Sequence, residues 1–161
     1  RGTVQDAGVT RIGNDNLLMA YTHVAHDCRI GNQVVMANAA SLAGHVQIED
    51  WAILGGFTIV HQFCRIGAHC FAAMGSVVSR DVPPFVLISG HPATPRGINS
   101  EGLRRRGFDS ATVAQIKNGY RALYKEGRRL EEALAEMRSM GNPEVDRLAE
   151  FVASSTRGFV R

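Results

Sequence analysis

Ile30-Gly31-Asn32-Gln33-Val34-Val35-Met36-Ala37-Asn38-Ala39-Ala40-Ser41-Leu42-Ala43-Gly44-His45-Val46-Gln47-Ile48 decides the fold of this chain. Its apolar anchors, Ile30, Met36, Leu42 and Ile48, fall every sixth residue. The same spacing extends outward to Ile12 on one side and Val78 on the other without a miss. Four residues after each anchor stands a small or compact residue: Cys28, Val34, Ala40, Val46, Ala52, Thr58, Cys64, Cys70 and Ser76 among them. A period of six fits neither the 3.6 of a helix nor the alternation of a simple strand. It fits hexapeptide repeats, in which each hexad forms one flat side of a three-sided prism. Three hexads close a coil, so residues eighteen apart stack. With the anchor as position 0, positions 0 and 4 are expected inside, and Gly13, Gly31, Gly55 and Gly67 are expected at corners with unusual backbone angles.

Around this core the sequence sets limits. The 161 residues suffice for one domain and an appendage. A net charge of +3 suits an anionic substrate or an acidic partner, but is too small to argue for nucleic-acid binding. No apolar run is long enough to span a membrane. The opening stretch, Arg1 to Gly8, reads as the continuation of something longer. The three cysteines occupy interior positions. Cys28 and Cys64 would lie two coils, about 9.6 Å, apart, beyond disulfide reach. They read as compact filler in a reducing cytoplasm.

Asp81-Val82-Pro83-Pro84 is expected to end the repeat, because consecutive prolines cannot donate to a ladder. Residues 85–99 are expected to be irregular. Helices are then expected from an Asp109-Ser110 cap to about Lys125, from Leu130 to Met140, and from Glu144 to about Ser154. The domain reading is a β-helix over 1–98 and an α-helical region over 99–161. The helices would plug the open end of the prism, as caps do in repeat proteins.

The histidines sit where a core residue would not. His23, His26, His45, His61 and His69 all avoid positions 0 and 4. Eighteen-residue stacking puts His26, Gly44 and Gln62 on one vertical line, Asp27 and His45 on the next, and His61 on the one before. An imidazole, an unhindered backbone amide and a carboxamide in one column suit acyl transfer to a hydroxyl. His26 can take the proton, Asp27 can stabilise the imidazole, and the Gly44 N–H can meet an oxyanion. Gln62 can bind the acceptor. Zinc held by histidines between subunits, or mere subunit packing, are the alternatives. His69 reads as a surface or interface residue. Asn99, Glu101, Arg104, Arg105 and Arg106 read either as a solvated basic turn or as a holder of phosphate and ribose.

Several segments carry a resemblance: His23-Val24-Ala25-His26-Asp27-Cys28, Leu42-Ala43-Gly44-His45-Val46, Gly55 to Phe63, Asp81 to Pro84, and Asn99 to Phe108. The whole chain resembles the UDP-N-acetylglucosamine 3-O-acyltransferase family of lipid A biosynthesis. That resemblance implies a left-handed parallel β-helix of hexapeptide repeats with C-terminal helices, mainly β plus α, in a cytoplasmic homotrimer. It implies transfer of an (R)-3-hydroxyacyl chain from acyl carrier protein to the glucosamine 3-hydroxyl of UDP-N-acetylglucosamine, with no cofactor or metal. His26, Asp27 and Gly44 would be catalytic. His23, His45, His61 and Gln62 would line the sugar and acyl cleft, and Asn99, Glu101, Arg105 and Arg106 would contact the nucleotide end. Met74 matches the position of a chain-length stop, which implies a donor nearer 3-hydroxydecanoyl than 3-hydroxymyristoyl. Packing of a subunit contact is the plainer reading of Met74. Family members extend further at the amino end, and Pro92 replaces a frequent histidine beside His91. The later N-acyltransferase of the pathway, a β-helix zinc lyase and a non-catalytic assembly fragment are the competing readings.

Overall fold

The computed structural model describes residues 5–161; the expectation for the opening residues 1–4 lies outside them. The hexads form a β-solenoid of two-residue strands in three parallel stacks. One side holds β1 (Arg11–Ile12), β4 (Arg29–Ile30), β7 (Gln47–Ile48) and β10 (Arg65–Ile66). The second holds β2 (Leu17–Leu18), β5 (Val35–Met36), β8 (Ile53–Leu54) and β11 (Phe71–Ala72). The third holds β3 (His23–Val24), β6 (Ser41–Leu42), β9 (Ile59–Val60) and β12 (Val77–Val78). Register is eighteen throughout these twelve strands, as in Ile12↔Ile30 and Leu42↔Val60. From Cys28 to Val78 positions 0 and 4 are buried, so each rung adds one anchor and one small residue to a common interior.

The corners follow a rule the sequence did not announce. Position 3 has positive φ on every rung from Asp15 to His69, in residues as bulky as Trp51 and Phe63. The left-handed conformation is costly for such residues. A hydrogen bond offsets it on most rungs: the position-3 N–H donates to the position-2 carbonyl of the preceding coil, as His45 does to His26 and Phe63 to Gly44. The expected corner glycines serve a different purpose. At Gly55 φ is ordinary, but a Cβ would sit 2.7 Å from the Ala72 carbonyl oxygen and the Met74 nitrogen. Close approach of coils, not backbone angle, requires that glycine.

Two expectations about residues 81–99 are overturned. The prolines do not end the spiral; they shorten one turn. Ile66 pairs with Val82, and Ala72 with Ile88, so the offset falls from eighteen to sixteen while Val82 and Ile88 stay buried. Nor is 85–99 irregular. β13 (Val86–Gly90) extends the second side in parallel, and β14 (Ala93–Ile98) returns antiparallel along it, with a register shift that accommodates Pro95. As a sheet edge, β14 tolerates proline.

The helices follow: α1 (Ser100–Arg105), α2 (Ser110–Tyr124), α3 (Leu130–Ser139) and α4 (Pro143–Ala153). The Asp109 side chain caps α2 by accepting from the Thr112 N–H at 2.7 Å, and Asn142 caps α4. α1 was not expected; its sequence is short, with one apolar residue, Leu103, and gives no periodic stripe. The helices pack around Leu103, Ile116, Met137, Val145 and Leu148. Tyr120 and Val160 instead join the solenoid core and close its top, as the plug expectation requires. The 98/99 division proposed from sequence lies between β14 and α1, and Ile98 and Tyr124 touch both hydrophobic clusters across it.

Candidate active site

The loop after β3 places His26 at position 2 and Asp27 at the left-handed corner. The His26 Nδ1 lies 3.0 Å from an Asp27 carboxylate oxygen. Asp27 is buried, whereas the His26 side chain is 43% exposed. A carboxylate accepts, so Nδ1 carries the proton and Nε2 offers its lone pair outward. One coil on, Gly44 lies directly against the ring. A Cβ there would stand 2.5 Å from His26 Cε1 and 2.7 Å from Nε2. Only glycine lets this imidazole occupy its place. On some rungs a side chain takes the position-2 amide: Asn32 N–H donates to Asp50, and Ala68 N–H to Glu49. No acceptor among the described residues bonds the Gly44 N–H.

His45 adds a second imidazole to the same carboxylate. Its Nε2 is 3.9 Å from Asp27, its Nδ1 is 3.3 Å from Asp6, and its ring packs edge-on to His26 at 5.1 Å. Phe63 stacks on its other face at 4.5 Å. The Ala7 N–H and His45 hold Asp6 below the usual carboxylate range. Ligand atoms of His26, Asp27 and His45 lie within 4.8 Å of one another, so this trio could hold a metal ion within one chain. Gln62 and His61 follow on the next coil, both exposed. The Phe63 N–H bonds the Gly44 carbonyl, which keeps the column aligned, but the Gln62 side chain bonds neither His26 nor Gly44. His23 is exposed on β3.

The second group has a hub the sequence reading missed. His69 is buried, not a surface residue. Its ring stacks between Trp51 (6.3 Å) and Phe85 (5.8 Å), one rung below and one above, with Phe108 edge-on. Its Nδ1 accepts from Arg106 at 3.1 Å, and its carbonyl accepts from the Asn99 side chain at 3.0 Å. Burial, then the nearby Arg106 and Arg147 charges, push the His69 pKa down to about 4. Asn99 also caps α1 through Gly102, and Glu101 pairs with Arg104 and Arg105. The eighteen-residue spacing of Trp51 and His69 was the available signal. The cysteines are buried and free, and burial pushes the Cys64 thiol up to about 11.

Comparison with known proteins adds the family. Residues 81–160 match the profile described as Udp N-acetylglucosamine O-acyltransferase, domain 2, and residues 10–44 match the bacterial transferase hexapeptide repeat. A protein of Alkalilimnicola ehrlichii named acyl-[acyl-carrier-protein]–UDP-N-acetylglucosamine O-acyltransferase is 55% identical over the whole chain. One of Thiobacillus denitrificans with the same name is 53% identical over 99% of it. The chain spans 63% of the length of each. Among solved structures, the Francisella novicida UDP-N-acetylglucosamine acyltransferase superposes with a TM-score of 0.96 at 41% identity, over 99% of this chain and 59% of that one. The Moraxella catarrhalis O-acyltransferase superposes at 0.97 and 42%, over 100% and 63%. With a solenoid, helical cap and sequence shared along its length, this chain belongs to the UDP-N-acetylglucosamine O-acyltransferase family.

Proposed function

We propose that this chain carries the acyl-transfer site of an enzyme of lipid A biosynthesis. The enzyme moves an (R)-3-hydroxyacyl chain from acyl carrier protein to the 3-hydroxyl of UDP-N-acetylglucosamine. The observation that carries this reading is the His26 imidazole seated over Gly44 with Nδ1 held by buried Asp27. His26 Nε2 accepts the proton of the sugar hydroxyl as that oxygen attacks the thioester carbonyl. The Asp27 carboxylate stabilises the resulting imidazolium. The Gly44 N–H donates to the oxygen that gains charge. Collapse of the tetrahedral intermediate forms the ester and breaks the carbon–sulfur bond, and the carrier thiolate takes the proton back from His26.

His23, His45, His61 and Gln62 line the sugar and acyl cleft. Glu101 and Arg105, both exposed, face the nucleotide end, and Asn99 and Arg106 fix α1 beside it through His69. The assembly is a homotrimer with its clefts between neighbouring prisms, and the compartment is the cytoplasm. Among the described residues no helix is long and apolar enough to cross a membrane. Met74 limits donor length to about that of 3-hydroxydecanoyl.

Replacing His26 by Ala should lower kcat by about 10²–10⁴-fold while far-UV circular dichroism and sedimentation stay unchanged. Retention of more than half the activity would remove His26 from the role of base. The His26–Asp27–His45 trio supports a second reading as a metal enzyme. Stoichiometric zinc in purified protein, released in a His45→Ala variant, would favour it over the first.

A further inference from the structure

Arg106, at the C-terminal end of α1, is a half-buried cation without an acid. Among the described residues no carboxylate lies within ion-pair distance of it; Glu101, the one acid of this helix, is taken by Arg104 and Arg105. Burial lowers the Arg106 pKa from the ordinary guanidinium value. A guanidinium is usually withdrawn from water only against a carboxylate. Here an imidazole stands in that place. Arg106 donates to His69 Nδ1 at 3.1 Å, and its guanidinium carbon lies over the Trp51 ring, 5.3 Å from the centre.

The acceptor points in one direction. Stacking between Trp51 and Phe85, with Phe108 edge-on, stops the His69 ring from swinging. Asn99 ties the same rung to α1: its amide donates to the His69 carbonyl, and its oxygen accepts from the Gly102 N–H. A Cβ on Gly102 would run into the Asn99 side chain, so this link requires glycine there. Burial, then the Arg106 and Arg147 charges, keep the imidazole uncharged. That matters for the guanidinium. A carboxylate at position 69 would hold Arg106 as firmly, but would cancel its charge and compete with any incoming anion. An uncharged acceptor fixes the group and leaves its charge uncancelled. The guanidinium fork matches two phosphate oxygens at once.

We propose that His69 is a positioning residue for the acceptor substrate: it holds Arg106 in the orientation that receives the diphosphate of the nucleotide sugar. The proposal rests on the acyltransferase reading, which puts a nucleotide beside α1. His69 itself touches no substrate. Ordering a long side chain before the ligand arrives removes that cost from binding, an effect of up to about tenfold in affinity.

Two variants separate the hydrogen bond from the packing. His69→Phe keeps the aromatic stack and removes the acceptor; His69→Gln keeps an acceptor and loses the stack. Calorimetry with uridine diphosphate, run below the thermal midpoint of the least stable variant, should show Kd raised about tenfold in His69→Phe and by less in His69→Gln. Steady-state assays should place the same loss in KM for UDP-N-acetylglucosamine, with kcat and the KM for the acyl donor changed by less than about twofold. In an Arg106→Gln background His69→Phe should add nothing, because its effect passes through the guanidinium. Wild-type Kd in His69→Phe overturns the proposal, as does a further loss on top of Arg106→Gln. A larger loss in His69→Gln than in His69→Phe also overturns it and returns His69 to packing. So does failure of uridine diphosphate to bind the wild type. Absence of acyl transfer from a wild type that binds the nucleotide refutes the acyltransferase reading instead, and the Kd series still decides the role of His69.

Discussion

Gly44 and His26 are coupled so tightly that one cannot change without the other. A single methyl group at position 44 would occupy the space of the imidazole edge, 2.5 Å from Cε1. Gly44→Ala is therefore expected to swing His26 away and reduce kcat by about 10²-fold or more. Its unfolding free energy should change by less than about 1 kcal/mol, because the imidazole is half exposed. The sequence made this pair legible through spacing alone, since stacking by eighteen is arithmetic. His69 was missed: it shares with His45 the corner position that the repeat leaves outside, and its burial depends on the α1 segment, which the sequence did not signal. His69→Phe would keep the stack with Trp51 and Phe85 but remove the acceptor for Arg106. At pH 8 that should destabilise the protein by about 1–2 kcal/mol. The folded pKa of His69 lies at about 4, below its unfolded value, so the unfolded chain binds the extra proton between these limits. Wild-type stability contributed by neutral His69 is thus full above about pH 6.5 and lost toward pH 4. The gap between wild type and His69→Phe should narrow by about 1–2 kcal/mol from pH 8 to pH 5. Chemical denaturation at both pH values measures it, and a constant gap would contradict the buried, neutral assignment.

Among elements, a two-residue strand has almost no stability of its own; it persists because rungs above and below cover its anchor. Leu42 is 1% exposed between β3 and β9, whereas Leu18, on β2 in the first coil, is 38% exposed. Leu42→Ala should cost about 2–5 kcal/mol, and Leu18→Ala about 1 kcal/mol. Urea midpoints of the two variants give the comparison, and equal losses would mean that the first coil is covered as fully as the second. The period of six exposed the twelve short strands because their interiors must repeat. It was silent on β13 and β14, where the turn shortens by two and Pro92 and Pro95 disguise an edge strand. Helix α2 was visible through its Asp109 cap and apolar stripe, and α1 through neither.

For the whole molecule, one shaft carries the proposed chemistry on its side and a helical lid on its end. Phe57, Ile59 and Met74 are 65%, 52% and 76% exposed on neighbouring coils. Apolar groups so grouped are what a subunit contact covers, in keeping with the proposed trimer. The Met74 side chain would then close an acyl groove between protomers. Met74→Gly should raise turnover of a 3-hydroxymyristoyl donor by about tenfold or more relative to 3-hydroxydecanoyl. No gain on the longer donor would return Met74 to a packing role. The proposed assembly and donor length lay beyond composition and spacing, because both would depend on surfaces that neighbouring chains complete.

The shortened turn at Val78–Val82 has its own consequence. Below it the molecule is a screw of uniform thread, and above it the thread is broken. Adding or deleting whole threads below His26 would lengthen or trim the shank and leave every vertical alignment intact. A change of even one residue between His26 and Gln62 would rotate the imidazole, the amide and the carboxamide onto different flanks. Natural variation in length should therefore collect below His26 or beyond Gln62, and the two threads between them should be the least tolerant of insertion.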